Sequence, residues 1–348
     1  MNEVISLIND TLWSYLLIGA LVVCGLWFTW KTRGIQFRMT GEMFRVLTES
    51  AASESKRAGD HGPVISSFQA YAVSVATRVG TGNLAGVATA ITIGGPGAVF
   101  WMWIIALLGS ATAFVESTLG QLFKQRHQDS FIGGPAYYIQ KGLHCQWMAY
   151  LFAILITITF GLSYNSIQSN TICRAMQEAF GWSPIVVGIV LSAMALTIVF
   201  GGIHRIARVS SVLVPLMAIG YFILTVVIIA MNIQLMPHIL KLIVTSAFGI
   251  DQSVGGAIGA TIMNGVKRGL FSNEAGEGSA PNVAATATVS HPVKQGFIQA
   301  LGVFTDTLLV CSCTAFVILI SGLYNTPEMN GIALTQAAMD SSLIAKHL

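Results

Sequence analysis

Residues 76–86 read ATRVGTGNLAG and interrupt a run that is otherwise apolar from about residue 66 to residue 93. Gly80, Gly82 and Gly86 weaken a helix, while Thr77, Arg78, Thr81 and Asn83 demand hydrogen bonds. In water such a cluster is an ordinary loop. In a bilayer each unsatisfied backbone group costs several kcal/mol, so a helix opened there must line protein or a water-filled cavity. The solvent around the cluster therefore decides its meaning.

Composition supplies that solvent. Of 348 residues, 54% are hydrophobic and only 9% charged, with a mean hydropathy of +0.70. Soluble domains carry roughly 25% charge. Too few polar groups remain to cover a soluble surface, so an all-α polytopic membrane protein is expected, with the lipid bilayer as its surroundings. The net charge of +3 implies no nucleic-acid partner. Cys24, Cys145, Cys173, Cys311 and Cys313 lack metal-ligand spacing and read as small apolar helix residues. No nucleophile–base–orienter set, P-loop or HExxH helix is present. Enzyme chemistry and ATP-driven pumping are thereby disfavoured, and no cofactor is expected.

A spanning helix needs about 20 mainly apolar residues. That template places spans at 12–30, 66–93, 99–123, 147–171, 184–200, 212–231 and 295–323, with GGPG at 94–97 as an outer turn. One further crossing is expected between Pro237 and Gly269, and the polar stretch after residue 323 reads as an outer tail. Lys and Arg concentrate in runs at 31–57, 124–141, 204–208 and 267–294. The positive-inside rule makes these cytoplasmic and puts the N-terminus, which has Glu3 and Asp10 but no basic residue, outside. Arg174, Lys241 and Lys346 are the exceptions.

With the extra span 12–30 set aside, residues 66–232 form a block of five spans. Five is odd, so a repeat of the block, 237–348, starts on the opposite side. That is the layout of inverted-repeat transporters, whose interrupted helices mark a midplane site. Both blocks open on glycine-laced segments, VGTGN at 79–83 and SVGGAIGA at 253–260.

The chemistry of the first break follows from its residues. Gly80 and Gly82 lower the cost of leaving helical geometry. Freed amides at the start of the outer half-helix suit a carboxylate. Freed oxygens of Thr77, Gly80 and Thr81 suit Na⁺, and Thr81 and Asn83 add side-chain donors and acceptors. The alternative is packing, since Gly82 and Gly86 make a GxxxG pair; the matching interruption in the second block favours a site. For Gly255, Gly256 and Gly259, a face limiting substrate size and simple packing stand equal. Buried charges cost roughly 2.5–3.5 kcal/mol each on insertion scales and need partners. Arg78 is expected to form a structural or gating pair with Glu116 or Glu274; contact with a substrate carboxylate is the alternative. Asp306 reads equally as a Na⁺ or proton ligand and as a capped polar group. Phe160, Tyr164, Gln168 and Thr171 share one helical face. There Phe160 offers a wall against larger side chains and Gln168 a polar ligand, with interhelical hydrogen bonding the competing reading.

Three stretches, ATRVGTGNLAGVATAI (76–91), GGPGAVFWMWIIALLG (94–109) and RGLFSNEAGEGSAPNVAATA (268–287), resemble the alanine or glycine:cation symporter family. The resemblance implies a leucine-transporter-type fold of five plus five inverted spans with an extra helix. It also implies uptake of alanine or glycine by alternating access, coupled to Na⁺ and in some members to H⁺, in a bacterial inner membrane. Gly80, Thr81, Gly82 and Asn83 match the family's broken-helix substrate motif, and Gln168 matches its polar residue on a following helix. Asn273 and Glu274 are implied as capping groups of an inner gating connection. The family pattern calls for three more spans. The second repeat is therefore expected to be incomplete, the sequence truncated at its C-terminal end, and transport by it alone absent. A channel and a non-transporting remnant are the competing readings.

Overall fold

The computed structural model describes residues 4, 8–50, 64–127, 130–249, 255–326 and 329–344. The first long helix is α1 (Thr11–Lys31), an apolar segment that ends at its basic residue. Two short helices follow, α2 (Ile35–Arg38) and α3 (Thr40–Leu47). The interrupted region then forms two pieces, α4 (Ser67–Arg78) and α5 (Gly82–Gly94). A turn with Gly95 at φ 73° leads into α6 (Ala98–Leu122).

The only strands among the described residues are a hairpin, β1 (Gln125–His127) with β2 (Ser130–Ile132), antiparallel with Arg126 opposite Phe131. Short α7 (Pro135–Gly142) leads back to the long α8 (Gln146–Phe180), then α9 (Pro184–Val199) and α10 (Gly202–Met231). The second part comprises α11 (Ile233–Ala247), α12 (Gly255–Asn273), α13 (Ser279–Thr286), α14 (Val293–Ser321) and α15 (Gly331–Ile344).

By length and composition α1, α6, α8, α10 and α14 are able to cross a membrane. Burial divides them into two classes. Over their most apolar stretches α6 and α14 are 61% and 67% buried, whereas α8 is 6% buried. The inner pair packs closely because α6 presents Ala106, Gly109, Ala111, Ala113 and Gly120, and small side chains let helix backbones approach. The outer helices turn Leu155, Ile189 and Leu216 outward, which suits hydrocarbon and would aggregate in water. At Gly97 the approach is especially close: a Cβ there would lie 2.4 Å from the backbone nitrogen of Ala247. An apolar cluster of Val87, Ile91, Met102, Ile318 and Leu334 joins α5, α6, α14 and α15.

The structure departs from the sequence reading in four places. Helix α8 continues past residue 171 to Phe180, because helix-favouring Ala, Met, Gln and Glu follow the apolar stretch. It stops at Gly181, whose φ of 69° supplies the left-handed cap. Helix α10 starts at Gly202, so the basic run 204–208 forms its first turns and is not a loop. The basic run starting at 267 likewise begins inside α12. The expected polar tail is helix α15, whose Leu334, Thr335 and Ala338 are buried. Its alternation of small and polar residues is too weak for a hydropathy window; burial against α5 and α14 gives it a place. All five cysteines are free thiols.

Candidate functional site

Helix α4 starts with a capping box in which Ser66 and Gln69 satisfy each other's backbone N–H groups. It ends at Arg78, because Val79 leaves helical geometry with φ −75° and ψ 97°. The Val79 N–H still reaches Val75 O at 2.7 Å. Beyond it the amides find side chains. Gly80 N–H donates to Asn83 Oδ1 at 2.9 Å, and Thr81 N–H donates to Gln168 Oε1 at 3.0 Å. The interruption is therefore a built turn, closed by one asparagine from α5 and one glutamine from α8. The sequence reading left these amides open to a ligand; here each already has a neutral side-chain acceptor.

Asn83 does more than close the turn. Its Nδ2 donates to Asp306 Oδ1 at 2.6 Å and to Ser272 Oγ at 3.2 Å. Asp306 Oδ2 accepts from Ser272 Oγ and from Thr307 Oγ1, both at 2.8 Å. Asn83, Asp306 and Thr307 have no exposed surface. Helix α14 adopts π-type turns over Phe304–Cys311 where it meets this cluster, a local widening common at functional sites. Three helices, α5, α12 and α14, thus converge on one carboxylate beside the broken backbone. Thr335 of α15 adds a bond from its Oγ1 to Leu84 O at 3.1 Å.

Two of the cavities that meet the break are lined by Gln168. The larger, about 350 Å³, touches Gly80, Thr81, Thr171, Met217 and Tyr221 and is mostly apolar. The smaller, about 20 Å³, touches Thr77, Arg78, Thr81, Phe271 and Glu274. The smaller is close to the room for a single water. Of the two, only the larger admits an amino acid, and Gln168 stands between them.

The structure places the other residues named from sequence as follows. Arg78 forms no ion pair with Glu116 or Glu274, so the expected pairing is corrected. Its Nη1 donates to Gln299 O at 3.4 Å, packed against Gly302 of α14, while Nε and Nη2 have no partner among the described residues. The two carboxylates are taken by the connection after α12: Glu116 accepts from Gly276 N–H at 3.2 Å and Glu274 from Ser279 Oγ at 2.5 Å. Glu274 itself sits at φ 52° at the helix end. Asn273 is fully buried and its Oδ1 accepts from Ala275 N–H at 3.0 Å. Thr77 Oγ1 bonds back to Ser74 O at 2.8 Å. Phe160 lines neither cavity. It packs on Tyr164, ring centroids 4.6 Å apart, and Tyr164 in turn packs on Phe271 at 5.3 Å. Gly255 and Gly256 open α12, but their surroundings and residues 250–254 lie outside the described residues.

Sequence reasoning missed Ser272, Thr307 and Arg268. The Arg268 guanidinium lies over the Phe271 ring at 4.6 Å. A Cβ on Gly86 would fall 1.8 Å from its Cζ, and one on Gly82 would fall 2.7 Å from its Nη2. The GxxxG pair therefore makes room for a guanidinium, and that spacing was the available signal for a bulky group opposite it.

A model of the sodium:alanine symporter family matches residues 1–348. The sequence is 54% identical over 341 residues to the probable sodium/glutamine symporter GlnT of Bacillus subtilis (strain 168), covering 98% of this chain and 70% of GlnT. It is 52% identical over 339 residues to the amino-acid carrier protein AlsT of the same organism, covering 97% and 70%. To the sodium/proton-dependent alanine carrier protein of Bacillus sp. (strain PS3) it is 42% identical over 318 residues, covering 86% and 68%. The family model takes in residues 1–348, and the matched region spans 70% of the length of GlnT and of AlsT.

Proposed function

This chain belongs to the sodium:alanine symporter family, and from that membership we propose that its break at residues 79–83 is where a small neutral amino acid and Na⁺ are held together. The protein is a multi-pass membrane protein that couples amino-acid transport to Na⁺; it is not an enzyme. The single observation that carries the site is the meeting of two opposite chemistries on one turn. Backbone amides of Gly80 and Thr81 suit an anion, and the Asp306 carboxylate bonded to Asn83 suits a cation.

The substrate carboxylate takes over the Thr81 N–H from Gln168. A charged acceptor bonds about twice as strongly as the neutral amide oxygen it replaces, so the exchange is favourable. The released Gln168 then turns toward the substrate or away from the path between the two cavities. Its position explains how one side chain both binds and gates, as alternating access requires. Alanine or glycine fits the larger cavity; glutamine, which GlnT's name carries, is the competing substrate.

Two sets of oxygens offer themselves to Na⁺, a hard cation that prefers oxygen ligands. Asp306, Ser272 and Thr307 supply a carboxylate and two hydroxyls. Thr77, Gly80 and Thr81 supply uncharged oxygens at the break. The first set carries the formal charge and is our choice. Binding of labelled alanine, glycine and glutamine to the purified protein, titrated with Na⁺ and then with H⁺, tests the proposal. Asp306→Asn is expected to abolish the Na⁺ dependence. Retention of that dependence would move the ion to the oxygens of Thr77, Gly80 and Thr81, and binding indifferent to Na⁺ would end the coupling reading at this turn.

A further inference from the structure

A third cavity, about 170 Å³, lies on the other face of the broken helix, between α1, α5 and α12. Lys267 and Arg268 of α12, Thr89 and Gly86 of α5, Asn264 and the Trp13 ring of α1 line it. Its charge balance is unusual for a membrane interior. Among the described side chains, two cationic ones border it and no carboxylate does. Lys267 makes no hydrogen bond or ion pair among the described residues. Arg268 Nε and Nη2 are buried without a partner among the described residues. Asp306, the carboxylate that also touches α12, is already bonded to Asn83, Ser272 and Thr307.

Lys267 is half-buried, while the inner nitrogens of Arg268 are stripped of water, which costs energy unless a negative group is near. Buried charges are normally paired. The Arg268 fork is immobilised by its seat over Phe271 and by the notch at Gly82 and Gly86, so it cannot swing to a distant carboxylate. What the cavity lacks among the described side chains is negative charge, and it has room for a small ion with residual water.

We infer that this cavity binds a small inorganic anion, with chloride as the physiological probe, held by Lys267 and the Arg268 guanidinium. The phosphate of an anionic phospholipid shares the chemistry. The site gives α1 a role, since its Trp13 lines the cavity. Through Arg268 the anion also bears on Gly82, inside the break, and on Gly86, one turn beyond it.

The test uses the whole protein in phosphatidylcholine nanodiscs at fixed Na⁺, with gluconate exchanged for chloride. The expected result is a saturable rise in Tm with chloride. Lys267→Gln is expected to weaken the apparent chloride affinity about tenfold or more, and Lys267→Arg to keep it. A second readout probes the wall of the cavity that α1 supplies: iodide is expected to quench Trp fluorescence saturably in the parent, and Trp13→Phe to remove that component. Nanodiscs containing phosphatidylglycerol, in gluconate, separate the sources. A Tm rise there that Lys267→Gln abolishes would keep the anion site and assign it to a headgroup. No Tm response in either arm, a response that Lys267→Gln leaves intact, or quenching that Trp13→Phe leaves unchanged would overturn the inference.

Discussion

Asn83 is the residue on which the break depends most heavily, and Asn83→Ala is the sharpest probe of it. Its Oδ1 is the acceptor for Gly80 N–H at 2.9 Å, and its Nδ2 donates to Asp306 at 2.6 Å. Alanine removes both at once in a place with no exposed surface. An orphaned buried N–H costs about 1–3 kcal/mol, and a lost bond to a charged acceptor costs about 1.5–3 kcal/mol. Partial relaxation brings the sum to about 3–5 kcal/mol, which is roughly two to four orders of magnitude in the population of the closed turn. The assay is Na⁺-dependent binding of labelled alanine to the purified protein, with Tm measured in parallel. Binding is expected to weaken by about a hundredfold or more and Tm to fall. Asn83→Asp preserves the acceptor for Gly80 N–H but sets a second carboxylate against Asp306, so it is expected to be at least as damaging at neutral pH. Alanine binding and Tm within experimental error of the parent in Asn83→Ala would refute the reasoning, because the turn would then be holding itself open without the side group that closes it here.

Gln168→Ala is expected to raise the alanine dissociation constant about tenfold by removing a ligand, while speeding exchange between the two cavities; stopped-flow release from proteoliposomes reads the second effect. Gly97→Ala forces a Cβ to within 2.4 Å of the Ala247 backbone, which has no rotamer to turn aside, and is expected to destabilise by about 2 kcal/mol or more. Gly161→Ala meets nothing within 4 Å and serves as its control, with thermal unfolding in detergent as the measurement. Lys294→Ala breaks the 2.6 Å pair with Glu49, both side chains being largely buried, and is expected to loosen α3 from the base of α14. Faster hydrogen exchange over residues 40–47, with alanine binding unchanged, is the signature.

The broken helix, the spans 12–30, 99–123 and 295–323, and the family were legible before any coordinate. Each rests on local chemistry that a single segment carries: an apolar run of membrane length, glycines that weaken a helix, a signature string. Tertiary structure decided the partners. Arg78 and Glu116 are both deep charges in the sequence, yet the carboxylate closes a turn after α12 and the guanidinium faces α14. Asp306 was a lone acid until α5 brought Asn83 to it and α12 brought Ser272. Helix α15 looked like a tail because it buries small and polar residues against neighbours, leaving little hydropathy to read. Arg268 counted as a loop charge until the notch at Gly82 and Gly86 received it. The physical reason is common to all four. Solvent preference and backbone freedom are properties of a residue in its own segment, whereas a buried charge or hydroxyl takes its meaning from the group that desolvates beside it. That group arrives from another helix.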